Sequence, residues 1–272
     1  RSRTDSYTTA DPDYFTPLAA GGALTESVTG LNELPLFHTV RYSHRVDCGE
    51  LGVFTVDDMT SQQGFRGVQN DLVGPLSMLL NNPFGRAAVK GIESKVTIEP
   101  RANLAELEVA RLDRSTVRPG STVTIDTTWL HVGGRRSTQR LTMTIPPDLP
   151  AGPYRLTVAD WTTQIQSLQK EKPHRFAPRS LNQLFEALQG VAAWRHDRVY
   201  LRLTPAKPTQ REITVDGIEM PGLPSSRAEL LADAKHSDIS PYIEAVVMPI
   251  ETAFAAAGQH TFELAIDPLA PQ

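Results

Sequence analysis

Cys48 is the only cysteine in 272 residues, so no internal disulfide can staple this chain. Its neighbours, Val46-Asp47-Cys48-Gly49-Glu50, are acidic, which disfavours a reactive thiolate and gives Cys48 a structural place. Charge of one sign is also scarce. A net charge of −4 supplies no electrostatic reason to bind nucleic acid or an anionic membrane. The pair Arg135-Arg136 is too short for a basic patch and reads as a solvated hairpin tip. No apolar run is long enough to span a bilayer, and the best stretch, 245 to 257, is broken by Pro249 and Glu251. Arg1 is followed by no leader of a charged and then an apolar segment, and a start at Arg1 reads as a boundary set by processing or by design. No tandem repeat is present.

The signatures of common chemistry are missing as well. There is no Gly-x-Ser-x-Gly elbow, phosphate loop or dinucleotide fingerprint. Gly120-Ser121 reads as a turn and Ser225-Ser226 as a helix cap. His38 and His44 are the closest histidine pair, yet on a straight strand they would lie about 20 Å apart at ~3.3 Å per residue. One zinc ion binds its ligands within about 2.3 Å and cannot bridge that gap. His131, His174, His196, His236 and His260 show no ligand spacing, and His236 with Asp238 reads as a polar loop. Asp57-Asp58 is a carboxylate doublet, but neighbours on a strand face opposite ways. Trp129, Trp161, Trp194 and Tyr242 could line a sugar-binding surface, although packing inside a core is the commoner use of scattered aromatic rings. The sequence therefore names no catalytic, cofactor-binding or metal-binding residue, and no cofactor.

What is present is alternation. A hydrophobic share of 40% is enough for a core. Strand-like runs occur at Leu36-Phe37-His38-Thr39-Val40, at Leu51 to Val56, and from Val89 through Ile98. Residues 104–112 alternate small or apolar with charged side chains. Val123, Ile125, Thr127 and Trp129 share one strand face, Gly133-Gly134 turns the chain, and Leu141, Met143 and Ile145 face one way on the return. After a Pro/Gly connection, Tyr154-x-Leu156-x-Val158 follows a pattern common in immunoglobulin-like sandwiches, where such a tyrosine bonds its hydroxyl back to the chain. Further strands are expected at 198–203, at the hairpin turning on Asp216-Gly217, and at 261–266.

Helices are expected at three places. One is short, over 71–80, and spoiled by Gly74-Pro75. One is capped by Ser180 with Gln183 and stopped at Gly190. One is capped by Ser226 with Glu229. The pattern predicts a mainly β chain: an extended lead-in over 1–30, a β-rich segment over 31–90 joining an upstream part, and an immunoglobulin-like β-sandwich with short helical insertions over 91–272.

From about 88 to 266 the chain resembles the region downstream of the peptidase domain in large bacterial proteins of the SpoIVB-type serine peptidase family. The resemblance rests on pieces in order: Ala105-Glu106-Leu107-Glu108-Val109, Val117 to Val123, Ile145 to Gly152, Val199 to Leu203, and Leu223-Pro224-Ser225-Ser226. In that family the catalytic serine sits upstream in a Gly-Met-Ser-Gly-Ser-type motif. The motif is missing here, so the peptidase activity transfers to no residue of this chain. The resemblance implies a non-catalytic accessory module of an exported protein, extracytoplasmic, docking on the upstream part of the same protein or on another envelope protein. A polysaccharide-binding module and a hydrolase with an unrecognised site are the alternatives.

Overall fold

A computed structural model describes residues 16–30, 34–61, 65–206, 212–222 and 239–270. The chain is mainly β, with several sheets and four α-helices among the described residues. It divides into two units. The first comprises residues up to Asn103 together with Pro178–His196, and the second comprises Leu104–Ala177 and Asp197 onward.

In the first unit, β1 (Thr39–Asp47) is the middle strand of a three-stranded antiparallel sheet, between β2 (Val53–Ser61) and β3 (Gly91–Glu99). Val40, Tyr42, His44 and Val46 alternate onto one face of β1 and are buried. Three helices supply the rest of this core: α1 (Thr16–Thr29), α2 (Arg66–Leu80) and α4 (Leu181–Ala192). The apolar stripe of α2 is Val68, Leu72, Leu76 and Leu79, all at most 1% exposed. From α4 come Leu184 and Phe185.

Four expectations change in this unit. Residues 16–29 form a helix, not an extended lead-in; residues 1–15 lie outside the described residues. Gly21-Gly22 lowers the helix propensity of α1, and packing on α2 supplies what propensity does not. A Cβ at Gly21 would lie 2.6 Å from the Val73 side chain, so glycine is what lets the two helices approach. The helix expected over 71–80 starts earlier, at Arg66, and carries Pro75 inside it. The helix expected to stop at Gly190 runs on to Ala192, with Ser180 accepting from the Gln183 backbone N–H at 3.2 Å as its cap. Strand β3, grouped by its pattern with the domain from 91 to 272, pairs with β1 along its whole length.

The second unit holds two larger sheets around one core. The four-stranded sheet runs β14 (Ala255–Ala257), β4 (Leu104–Leu112), β6 (Thr122–His131), β7 (Arg136–Thr144). The five-stranded sheet runs β13 (Val246–Glu251), β9 (Arg198–Pro205), β8 (Gly152–Ala159), β15 (His260–Ile266), β5 (Thr116–Val117). Val123, Ile125, Trp129, Leu141 and Met143 from the first sheet join Leu156, Val158, Leu201, Leu264 and Ile266 from the second in a single apolar cluster. Burying each such side chain contributes roughly 1.5–3 kcal/mol. The β6–β7 hairpin turns where expected, with Gly133 and Gly134 at φ 90 and 85.

An additional helix, α3 (Trp161–Glu171), follows β8 and is capped by Asp160. Its apolar pattern is too weak to announce it. A small sheet of β10 (Glu212–Val215), β11 (Ile218–Met220) and β12 (Ile239–Tyr242) contains the expected hairpin, which turns at Asp216-Gly217. The helix expected after Ser226, and His236 with Asp238, lie outside the described residues. No helix among the described residues is long and apolar enough to cross a membrane.

Candidate functional site

A buried polar constellation of the first unit lies where β1, β2 and α2 meet. Register pairs Tyr42 with Asp58, so both project from the helix-covered face. The Tyr42 hydroxyl donates to Asp71 Oδ2 at 2.5 Å, reaching from β1 to α2. Asp58 accepts from the backbone N–H of His196 at 2.7 Å and shares a second 2.7 Å bond with His196 Nδ1.

Burial sets the electrostatics. Burial first, and then the negative charges of Asp71 and Asp58, hold the Tyr42 phenol far above its ordinary range. Asp71 is also raised, by burial and by Asp58, with Tyr42 and His196 pulling the other way. Tyr42 therefore acts as a fixed proton donor. A polar cleft of about 240 Å³ is lined by Arg41, Ser43, Asp57 and Lys95, which alternate onto the opposite face of this sheet, and by Arg195 among others.

One turn of the strand away, His44 is fully buried. Its Nε2 meets the Val68 carbonyl at 3.0 Å and its Nδ1 meets the Ser94 hydroxyl at 2.9 Å. A carbonyl can only accept, so Nε2 carries the proton and Nδ1 accepts from Ser94. Burial lowers the imidazole to about 4, against the Val68 bond and the Asp57 charge, which favour the cation.

The second unit has its own cluster. Lys172, 6% exposed, donates from Nζ to Glu219 at 3.0 Å and to Glu244 at 2.6 Å. Glu219 also pairs with His174 at 2.9 Å and with Arg175 at 2.6 Å. Burial raises this carboxyl, but the hydrogen bonds from Arg175, His174 and Lys172 outweigh it and hold Glu219 at about 2. The Lys172 ammonium also sits 4.9 Å from the Tyr242 ring centroid. Arg202, buried on β9, donates to Gln164 and Glu171 of α3.

The residues weighed from the sequence fall as follows. Asp57 is exposed and Asp58 buried, on opposite faces as strand alternation requires. Cys48 is buried, and burial raises its thiol. His38 bonds the Pro35 carbonyl at 2.7 Å. Trp129 and Tyr242 are at most 2% exposed and serve as core rings, and Trp161 and Trp194 are half-buried. Among the described residues, no three His, Cys, Asp or Glu side chains gather closely enough to hold a metal ion. Tyr42, Asp71 and Ser94 escaped the sequence reading, and His196 was weighed there only as a metal ligand. The one available signal was a charged Asp71 beside an apolar helical stripe.

No known protein family, no curated protein and no solved structure matches this chain.

Proposed function

We propose that this chain is the non-catalytic accessory region of an exported bacterial protein related to the SpoIVB-type serine peptidases. In this reading it works outside the cytoplasm, supporting or docking the upstream part of the same protein or another envelope protein. The observation that carries the non-catalytic side is the Ser94–His44 pair. A serine is activated by a base whose pKa lies near the working pH. His44 is held at about 4, and its second nitrogen faces a backbone carbonyl, not a carboxylate that would stabilise an imidazolium. A second such contact among the described residues, His131 with Ser137 at 2.7 Å, also has an imidazole lowered by burial and by Arg135.

The second unit is read as an immunoglobulin-like sandwich with helical insertions. Its support is Tyr154, 6% exposed at a strand start, whose hydroxyl donates to the Pro150 carbonyl at 3.0 Å. The parallel pairs β14–β4 and β15–β5 and the helix α3 are its elaborations.

A fluorophosphonate probe and the gene's full reading frame test the proposal together. The expected result is an unlabelled chain and an upstream Gly-Met-Ser-Gly-Ser-type segment in the same frame. Stoichiometric labelling of Ser94 or Ser137, or a frame without that segment, overturns it.

A further inference from the structure

Among the described residues, strand β3 is an open sheet edge whose backbone and side chains are both self-complementary. Just past β1, the Cys48 N–H bonds the Gly52 carbonyl at 2.8 Å, in register with the β1–β2 ladder. Backbone groups alternate in direction along a strand. The even-numbered residues of β1 therefore bond β2 and the odd-numbered ones bond β3. The Lys90 N–H on the Asp47 carbonyl, at 2.8 Å, agrees. Through the register Arg41↔Thr97 and Ser43↔Lys95, the odd-numbered residues of β3 spend their backbone groups on β1. Those of Ile92, Ser94 and Val96 are left facing outward. Among the described residues no strand pairs with that side, and Glu93, Ser94, Lys95 and Thr97 are exposed.

A long bare edge invites pairing, and proteins blunt such edges by shortness, proline, unbalanced charge or a cover. Most other edges among the described residues are blunted. β5 and β14 have only 2 and 3 residues. β13 carries Pro249, whereas β7 carries Arg136 and Arg140, each paired to an acid of the same sheet. β2 is flanked by α4, whose Gln189 side chain donates to the Val53 carbonyl. β3 has 9 residues, no proline, and Glu93 and Lys95 two positions apart on its exposed face.

We propose that β3 pairs antiparallel with β3 of a second copy of this chain, in the register that sets Ser94 against its own counterpart. Ile92, Ser94 and Val96 then exchange their free backbone hydrogen bonds across the two-fold axis. Glu93 stands opposite Lys95 of the second copy, and Lys95 opposite its Glu93, as close non-hydrogen-bonded pairs of opposite charge. On the other face Ile92 meets Val96. The contact is isologous, so it closes as a dimer with a continuous six-stranded sheet and does not propagate. One paired edge is a small interface, and the equilibrium should depend on concentration.

Sedimentation equilibrium of the whole chain and its charge variants tests this. The parent should self-associate reversibly to a dimer. Glu93→Lys or Lys95→Glu alone sets like charges opposite each other and should weaken the dimer by roughly tenfold or more, and the double exchange should restore it. Both sites are exposed, so folding should survive, and circular dichroism checks that. Ser94→Cys should cross-link to a covalent dimer under mild oxidant, whereas Thr97→Cys, which faces Gly91 in this register, should not. A parent that stays monomeric at every concentration, or a double exchange no better than the single changes, overturns the proposal.

Discussion

Asp58 holds His196 twice, through its backbone N–H and through its ring, each at 2.7 Å and across 138 positions of sequence. The carboxylate also accepts from the Met59 N–H at 2.8 Å, so both of its oxygens are engaged. Asp58→Ala leaves these donors without their partner, and a hydrogen bond to a charged group contributes about 1.5–3 kcal/mol. The expected outcome is a loss of about 3 kcal/mol in urea unfolding, with a smaller loss for Asp58→Asn, which keeps one acceptor.

His44 should make the chain acid-sensitive. Its folded value, about 4, lies below the unfolded 6.5, so the unfolded state binds the proton first. Stability is therefore full above pH 6.5 and falls as pH drops towards 4, by about 3 kcal/mol in all. The difference between parent and His44→Gln, followed by denaturant unfolding from pH 7 to pH 4, should shrink by that amount. A constant difference would show that His44 does not titrate as described.

Glu219 acts in a lower window. Its folded value, about 2, lies below the ordinary 4.5, so its contribution is present above pH 4.5 and is lost as pH falls towards 2. Glu219→Gln leaves the buried Lys172 with Glu244 alone. Melting temperatures of parent and variant should differ at pH 7 and converge near pH 2.

In the second unit, Tyr154→Phe removes only the bond to the Pro150 carbonyl and should cost about 1 kcal/mol. Trp129→Ala empties the space against Phe254, whose ring centroid lies 5.2 Å away, and should cost about 3–5 kcal/mol. Thermal unfolding of both beside the parent is the check, and equal small shifts would mean that the rings are not core anchors.

Legibility followed the range of the interactions. The β6–β7 hairpin could be read directly, because strict alternation and a Gly-Gly turn are local signals. The Tyr154 bond spans only 4 positions and was legible for the same reason. Helix α1 was not: Gly21-Gly22 argues against a helix, and the reason for glycine there is Val73 on another helix. The candidate site was hidden for a related reason. Tyr42 and Asp71 lie 29 positions apart and Asp58 and His196 lie 138 apart, so no spacing rule links them. Strand alternation sets Asp57 and Asp58 on opposite faces, but nothing local says which of the two is buried.

The return of the chain through Pro178–His196 ties the first unit to the order in which the protein is made. Leu184 and Phe185 complete its core, and His196 supplies the partner of Asp58. None of these residues exists when Asn103 leaves the ribosome. The sheet of β1, β2 and β3 must then stand with its helical face partly bare while β4 to β8 and α3 are synthesised, a long-range closure of the kind that slows folding and exposes apolar surface. A fragment ending at residue 103 would be held in that same incomplete state permanently.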